Sequence, residues 1–214
     1  MRLFAIYLNV FKDFMSELKI TTIENEILQS CTYILTKEDE LGAYLIDCGN
    51  VAPIKSFLKK MGKDLRGILL THCHYDHIYG LKELLYSYPD LRIFASEATF
   101  RGLEDDNLNM SYLYSDDEYI VEIDEEQKVI ARENNCFTVL NEMVECIPTP
   151  GHDVDCMTYV ICSAIFTGDS YNPNSPVFTK WHNSDVDMAE KNEILLKEVI
   201  DSRHLSVYPG HRID

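Results

Sequence analysis

The chain has 214 residues, enough for one large domain or two small ones, and its 46% apolar content can bury a sizeable core. Its formal net charge is −17, from 36 acidic against 19 basic residues. Such a surface repels phosphate backbones and anionic lipid headgroups, which argues against nucleic-acid and membrane partners and leaves a small-molecule substrate.

The start, "MRLFAIYLNVF", is mildly apolar. Asn9 and Lys12 interrupt it and no A-x-A cleavage site follows, so it does not read as a signal peptide. No run approaches the ~18 apolar residues of a membrane span. Met15 opens what looks like a second start, so residues 1–16 read as an N-terminal extension and 17–214 as a single domain. "LFAIYL" could instead be an extra strand paired with another subunit, and a homodimer stays open. The seven cysteines are odd in number, have no CxxC spacing and sit partly inside apolar runs. They read as reduced, mostly buried thiols of a cytoplasmic protein.

Three β-like runs come first: 19–24, 31–36 and 43–49. Their alternation and β-branched content predict strands. Helical spacing over 52–62 ends at Gly62. The apolar run 65–72 reads as a buried strand, followed by a helix over 76–88, a strand over 91–96 and a short helix over 97–105. From 106 to 130 the chain is acidic and reads as a loop. Four closely spaced strands follow in "CFTVL", "MVECIPTPGH", "MTYVIC" and "AIFTGDS". A helix over 184–202 and a strand over 205–211 close the chain. The order predicts an α+β fold of two similar halves, each a sheet with helices outside.

"THCHYDH" places His72, His74, Asp76 and His77 at the exit of the 65–72 strand. His72 and His74, two apart in extended chain, point to the same side. Imidazoles and a carboxylate converging at a strand end suit a borderline metal such as zinc. Three further segments repeat the design: "TPGHD" with His152, "FTGDS" with Asp169 and "YPGHR" with His211. Each is an apolar strand, a glycine turn and a metal-competent side chain, which is how a rigid sheet presents a site. His182 and His204 match no such position and read as surface or helix-end residues, although His182 beside Trp181 could line a pocket. Cys73 reads as packing.

With these residues in view, the chain resembles the metallo-β-lactamase superfamily. The family's H-x-H-x-D-H stands here as His72, His74, Asp76 and His77, and His152, Asp169 and His211 match its later positions. The resemblance covers about residues 17–214. It implies a four-layer αββα sandwich and two divalent metal ions, zinc by default, with iron or manganese as alternatives. His72, His74 and His152 would hold the first ion, Asp76, His77 and His211 the second, and Asp169 would bridge them. Two ions about 3.5–4 Å apart can share a hydroxide and polarise a carbonyl. Asp76 could orient that hydroxide and pass a proton to the leaving group. Asp47, in "LIDCG", would buttress the site from behind. Related lactonases place a tyrosine near Tyr171 to donate to the substrate carbonyl; the other reading of Tyr171 is packing at the rim.

Asp169 argues against penicillin hydrolysis, because zinc β-lactamases lack a bridging aspartate. The chain stops three residues after His211, so the helical domain with which glyoxalase II-type thioesterases grip glutathione is expected to be absent. "GHDVDC" also departs from their usual G-H-T-x-G-S. The resulting expectation is a dinuclear, glyoxalase II-like hydrolase of a small ester, thioester or lactone. The alternatives are a phosphodiester or phosphonate-ester hydrolase, a mononuclear iron dioxygenase acting on persulfides, and a non-enzymatic metal-binding or scaffold protein.

Overall fold

The computed structural model describes residues 16–114, 119–134 and 137–212. Almost all of the expected 1–16 extension therefore lies outside the described residues. The first sheet takes its strands in chain order: β1 (Lys19–Glu24), β2 (Cys31–Thr36), β3 (Gly42–Ile46), β4 (Asp64–Leu69), β5 (Arg92–Ala95) and β6 (Lys128–Ile130). β1, β2 and β3 pair antiparallel; β3 through β6 pair parallel. The second sheet has the order β11 (Ser206–Pro209), β10 (Ala164–Gly168), β9 (Met157–Ile161), β8 (Glu142–Pro148) and β7 (Phe137–Val139). Within it, only β10 and β11 run parallel.

The layering follows from the two-residue period of the strands. In β2 and β3, Ile34, Ala43 and Leu45 face one apolar cluster, while Tyr33, Leu35 and Ile46 face another. The first cluster lies under α1 (Val51–Met61), α2 (Tyr75–Ile78), α3 (Leu81–Ser87) and α4 (Glu97–Leu103). The second lies between the sheets, where Tyr33 and Leu35 meet Tyr159, Ile161 and Phe166. Val160 and Ile165, on the far faces of β9 and β10, pack against Leu196 of α5 (Val186–Arg203). Three apolar layers between four layers of structure make the αββα sandwich, and strands buried on both faces explain the uniformly buried β2, β9 and β10.

Two expectations need correction. The helix expected over 76–88 is two helices broken at Gly80, whose N–H donates to the Cys48 carbonyl at 3.0 Å. The chain must kink there to lie against the 48–49 backbone. The loop expected over 106–130 contains a 3₁₀ turn, Ser111–Leu113, and ends in β6. Three residues after an acidic run are too few to register as a strand; β6 exists because the open edge of β5 accepts it.

The sheets are also joined by hydrogen bonds. The Met157 N–H donates to the Thr71 carbonyl at 2.8 Å, and the buried Tyr159 hydroxyl donates to the Leu70 carbonyl at 2.8 Å. Tyr159→Phe removes the second link and leaves a buried carbonyl without that donor. We expect a loss of about 1–3 kcal/mol in urea unfolding. A change below about 0.5 kcal/mol would mean that this link contributes nothing.

Candidate metal centre

The strand exits converge along one edge of the sandwich. Asp47 follows β3, His72 and His74 follow β4, His152 follows β8, Asp169 follows β10 and His211 follows β11. α2 adds Asp76 and His77. The glycine turns let these exits approach. Gly168 adopts φ +50°, and a Cβ there would lie 2.6 Å from Thr71 Oγ1. A Cβ on Gly210 would lie 2.1 Å from Asp169 Oδ1 and 2.9 Å from His77 Cε1. No larger residue fits between the carboxylate and the imidazole.

All seven side chains proposed from the motifs come together. Donor atoms within 4.8 Å of one another form three groups: His72, His74 and His152; Asp76, His77 and His211; and His72, His77 and Asp169. Asp169 sits between the first two, with Oδ1 3.4 Å from His77 Nε2 and Oδ2 3.4 Å from His152 Nε2 and 3.3 Å from His211 Nε2. His77 Nε2 and His211 Nε2 are 3.3 Å apart, and His152 Nε2 and His74 Nδ1 are 3.0 Å apart.

Each imidazole is turned by its other nitrogen. His77 Nδ1 meets Asp47 Oδ2 at 2.9 Å, His74 Nε2 meets Asp153 Oδ2 at 3.1 Å, and His72 Nδ1 meets Thr71 Oγ1 at 3.1 Å. His152 Nδ1 and His211 Nδ1 donate to the carbonyls of Phe178, at 2.7 Å, and Leu28, at 2.9 Å. These anchors leave one bare nitrogen per ring facing the others, the arrangement that orients histidines toward a metal. His72 Nε2, Asp76 Oδ2 and Asp169 Oδ1 are buried with no hydrogen-bond partner. Buried polar atoms left open in this way fit bound cations.

The electrostatics of the bare site agree. Burial holds His72 well below the usual imidazole value, with His77 and His74 adding to the effect. His77 is different: burial acts to lower it, but the charges of Asp76 and Asp169 outweigh burial and raise it well above 6.5. Burial is likewise outweighed at His211, where Asp169 and then Asp76 push the value up to about 10. Asp169 is driven well below the carboxylate range, because His211, His77 and His152 overcome its burial.

Tyr171 is not among the residues that line the main cavity. Its side chain packs with Val160, Ile165 and Leu196 against α5, with Lys197 Nζ 5.9 Å from the ring centre. It lines a separate shallow cavity with Glu193 and Lys197. Thr167 Oγ1 donates to the Tyr171 carbonyl at 2.6 Å and closes the turn after β10. Asn172 lines the main cavity instead. His182 and His204 are exposed, and His204 caps α5 at φ 53°. Cys73 is buried in the helix-side core.

Thr71, Asp153 and the carbonyls of Phe178 and Leu28 are the residues missed. Asp153 was visible as a departure from the family pattern next to His152; the carbonyls have no sequence signal. Asp155, also in "GHDVDC", accepts from the Cys73 N–H at 2.8 Å, and its burial, with Asp153 beside it, raises it to about 6.

The family model of the metallo-beta-lactamase superfamily matches residues 26–211. The chain belongs to the metallo-β-lactamase superfamily. A hydroxyacylglutathione hydrolase of Pseudoalteromonas translucida is 28% identical over 64% of this chain, which spans only 45% of that relative. A probable metallo-hydrolase of Streptococcus pyogenes is 31% identical over 91% of this chain and 84% of its own length. Among solved structures, the BLEG-1 B3 metallo-beta-lactamase superposes with a TM-score of 0.78 at 20% identity, covering 91% of this chain and 92% of that one. At that identity the likeness concerns fold alone. Among the described residues, no helix of this superfamily member is long and apolar enough to cross a membrane.

Two outcomes test the centre. Asp153→Ala frees the His74 ring and should weaken zinc binding about 10–100-fold in chelator competition, with Asp153→Asn recovering part of it; unchanged affinity would remove Asp153 from the centre. The second concerns pH. His77 and His211 hold protons well above 6.5 without metal, so these histidine–carboxylate pairs stabilise the metal-free fold fully below about pH 6.5 and lose that contribution as pH rises through the raised values, about 10 for His211. Cations must displace the same protons. Calorimetric zinc titrations at pH 7 in buffers of different ionisation enthalpy should therefore show proton release, with affinity rising with pH. Binding that is insensitive to buffer and pH contradicts this.

Proposed function

We propose that the chain is a metal-dependent hydrolase of a small ester, thioester or lactone, working with two divalent ions. The observation that carries this reading is a pair of donor groups meeting at Asp169 beside a cavity of about 570 Å³. His72, His74 and His152 would hold one ion, Asp76, His77 and His211 the other, and Asp169 would serve both. Seven donors exceed what one tetrahedral ion uses. Zinc suits the imidazole and carboxylate set, and iron or manganese takes the same donors. Bound there, such ions supply Lewis acidity and a water acidic enough to ionise near neutral pH.

The chain's own residues supply the rest. The five imidazole rings are held in place by their anchors, so filling the donor set would displace protons rather than move rings. Asp76 lines the cavity, and its Oδ2 lies 3.2 Å from His211 Nε2 and 3.3 Å from His77 Nε2. It is the carboxylate placed to take a proton from attacking water and return it to the leaving oxygen or sulfur. Thr71 and Asp47 hold His72 and His77 from behind. The hydroxyacylglutathione hydrolase relative supports an acyl group as the electrophile. The outward-packed Tyr171 has no part in this reading.

The test is elemental analysis of metal-loaded protein together with assays on ester, thioester, lactone and phosphodiester panels. Two equivalents of metal and turnover of an acyl substrate are expected. Asp76→Asn should lower kcat roughly 10²–10⁴-fold with the far-ultraviolet spectrum unchanged. Saturation at one equivalent sinks the two-ion reading, and turnover confined to phosphodiesters sinks the acyl one.

A further inference from the structure

The cavity beside the donor groups has a chemical character that the metal motifs do not explain. Beyond the metal-facing side chains, its walls are largely apolar, with Leu28, Met110, Val177, Phe178 and Trp181 among them. Met110 is buried, but Leu28 is 54% exposed and Phe178 47% exposed. Large apolar groups held open around a concave site mark where apolar ligand surface is buried. The Phe178 and Trp181 rings pack at 5.2 Å between centres, and the Trp181 ring lies 6.2 Å from that of His74. An apolar group on Trp181 would therefore sit beside the donor set.

Charge sharpens the inference. Among the described residues, no lysine or arginine lines this cavity; its formal charges there are the carboxylates of Asp76 and Asp169 and whichever of its three histidines are protonated. The polar lining outside the donor set comes from Asn172, Ser175 and Tyr114, all uncharged. The chain as a whole carries −17. A substrate bearing several carboxylates would find no lysine or arginine among the described residues of these walls to pair with its outer charges. We infer that the cavity selects uncharged substrates whose acyl or aryl portion is apolar and seats against Trp181 and Phe178. This deepens the hydrolase reading and rests on it for the reaction.

The wall and the donor set are joined by hydrogen bonds. The Phe178 carbonyl accepts from His152 Nδ1, and Ser184 Oγ donates to the His152 carbonyl at 2.7 Å. Apolar ligand packing on the 178–181 stretch thus bears on the backbone that aims His152. Replacing the Phe178 side chain leaves its carbonyl in place, so wall and anchor can be tested separately.

Trp181 is the chain's sole tryptophan, so its fluorescence reports the wall directly. Titration of full-length protein with uncharged methyl ketones from 2-hexanone to 2-decanone should change that fluorescence, with affinity rising roughly threefold per added methylene. Phe178→Ala should weaken 2-decanone binding about tenfold, still read by Trp181. S-hexylglutathione carries a comparable alkyl chain on an anionic body and should bind more weakly than 2-octanone. In metal-loaded protein, kcat/KM for 4-nitrophenyl esters should climb at least tenfold from acetate to octanoate. Trp181→Ala should reduce that climb through KM rather than kcat. A flat methylene series, or tighter binding of S-hexylglutathione, overturns the inference even if esters are hydrolysed. A clear series with no turnover of any ester, thioester or lactone overturns the hydrolase reading and leaves the apolar wall standing.

Discussion

The buried carboxylate of Asp47 accepts three hydrogen bonds, from the Thr71 N–H at 2.7 Å, the Thr71 hydroxyl at 2.7 Å and His77 Nδ1 at 2.9 Å. Asp47 adopts φ 55°, a left-handed turn that aspartate tolerates better than most residues. The turn carries the carboxylate from the end of β3 to the exit of β4. Much of the site hangs from this contact. Thr71, once held, receives His72 on its hydroxyl and the second sheet's Met157 N–H on its carbonyl. One charge thus orients two imidazoles and fixes where the sheets meet.

Such a cluster of buried histidines and carboxylates is costly to desolvate unless each group is paired. The fold meets this by placing the donors on, or just after, elements anchored in a core layer. His72 follows β4, whose Ile68 and Leu69 are fully buried on opposite faces. Asp169 follows β10, whose Ile165 and Phe166 do the same. The donors therefore cannot drift apart to find water. Burial depresses His72 and His152, while the carboxylates raise His77 and His211. Cations would replace that division between two lowered and two raised imidazoles.

The cavity wall belongs to the same economy of elements. Leu28 gives its carbonyl to His211 and its side chain to the cavity; Phe178 does the same for His152. Residues that shape the space for a ligand also set the angle of two imidazoles. A change of side chain there acts on the cavity, whereas a change in backbone path acts on the donors.

Much of the fold and site was legible in the chain itself. The short apolar runs at 31–36, 43–49, 157–161 and 164–168 read as strands, and runs without a polar face suit strands buried on both sides, because pleated chain sends successive side chains to opposite layers. The glycine turns before His152, Asp169 and His211 announce strand exits that carry donors, and the crowding around Gly210 and Gly168 supplies the reason for glycine there. What the tertiary structure decided depends on atoms distant in sequence. The direction of the Tyr171 ring is set by Leu196 and Lys197 of α5, so its place two residues after Asp169 says nothing about where it points. β6 exists only because β5 offers an open edge, and α2 parts from α3 because Gly80 must reach the Cys48 carbonyl. The anchors at Leu28 and Phe178 are main-chain carbonyls, which every residue carries. Only the folded path shows which of them face a histidine, and that same path assembles Leu28, Met110, Phe178 and Trp181 into one apolar wall.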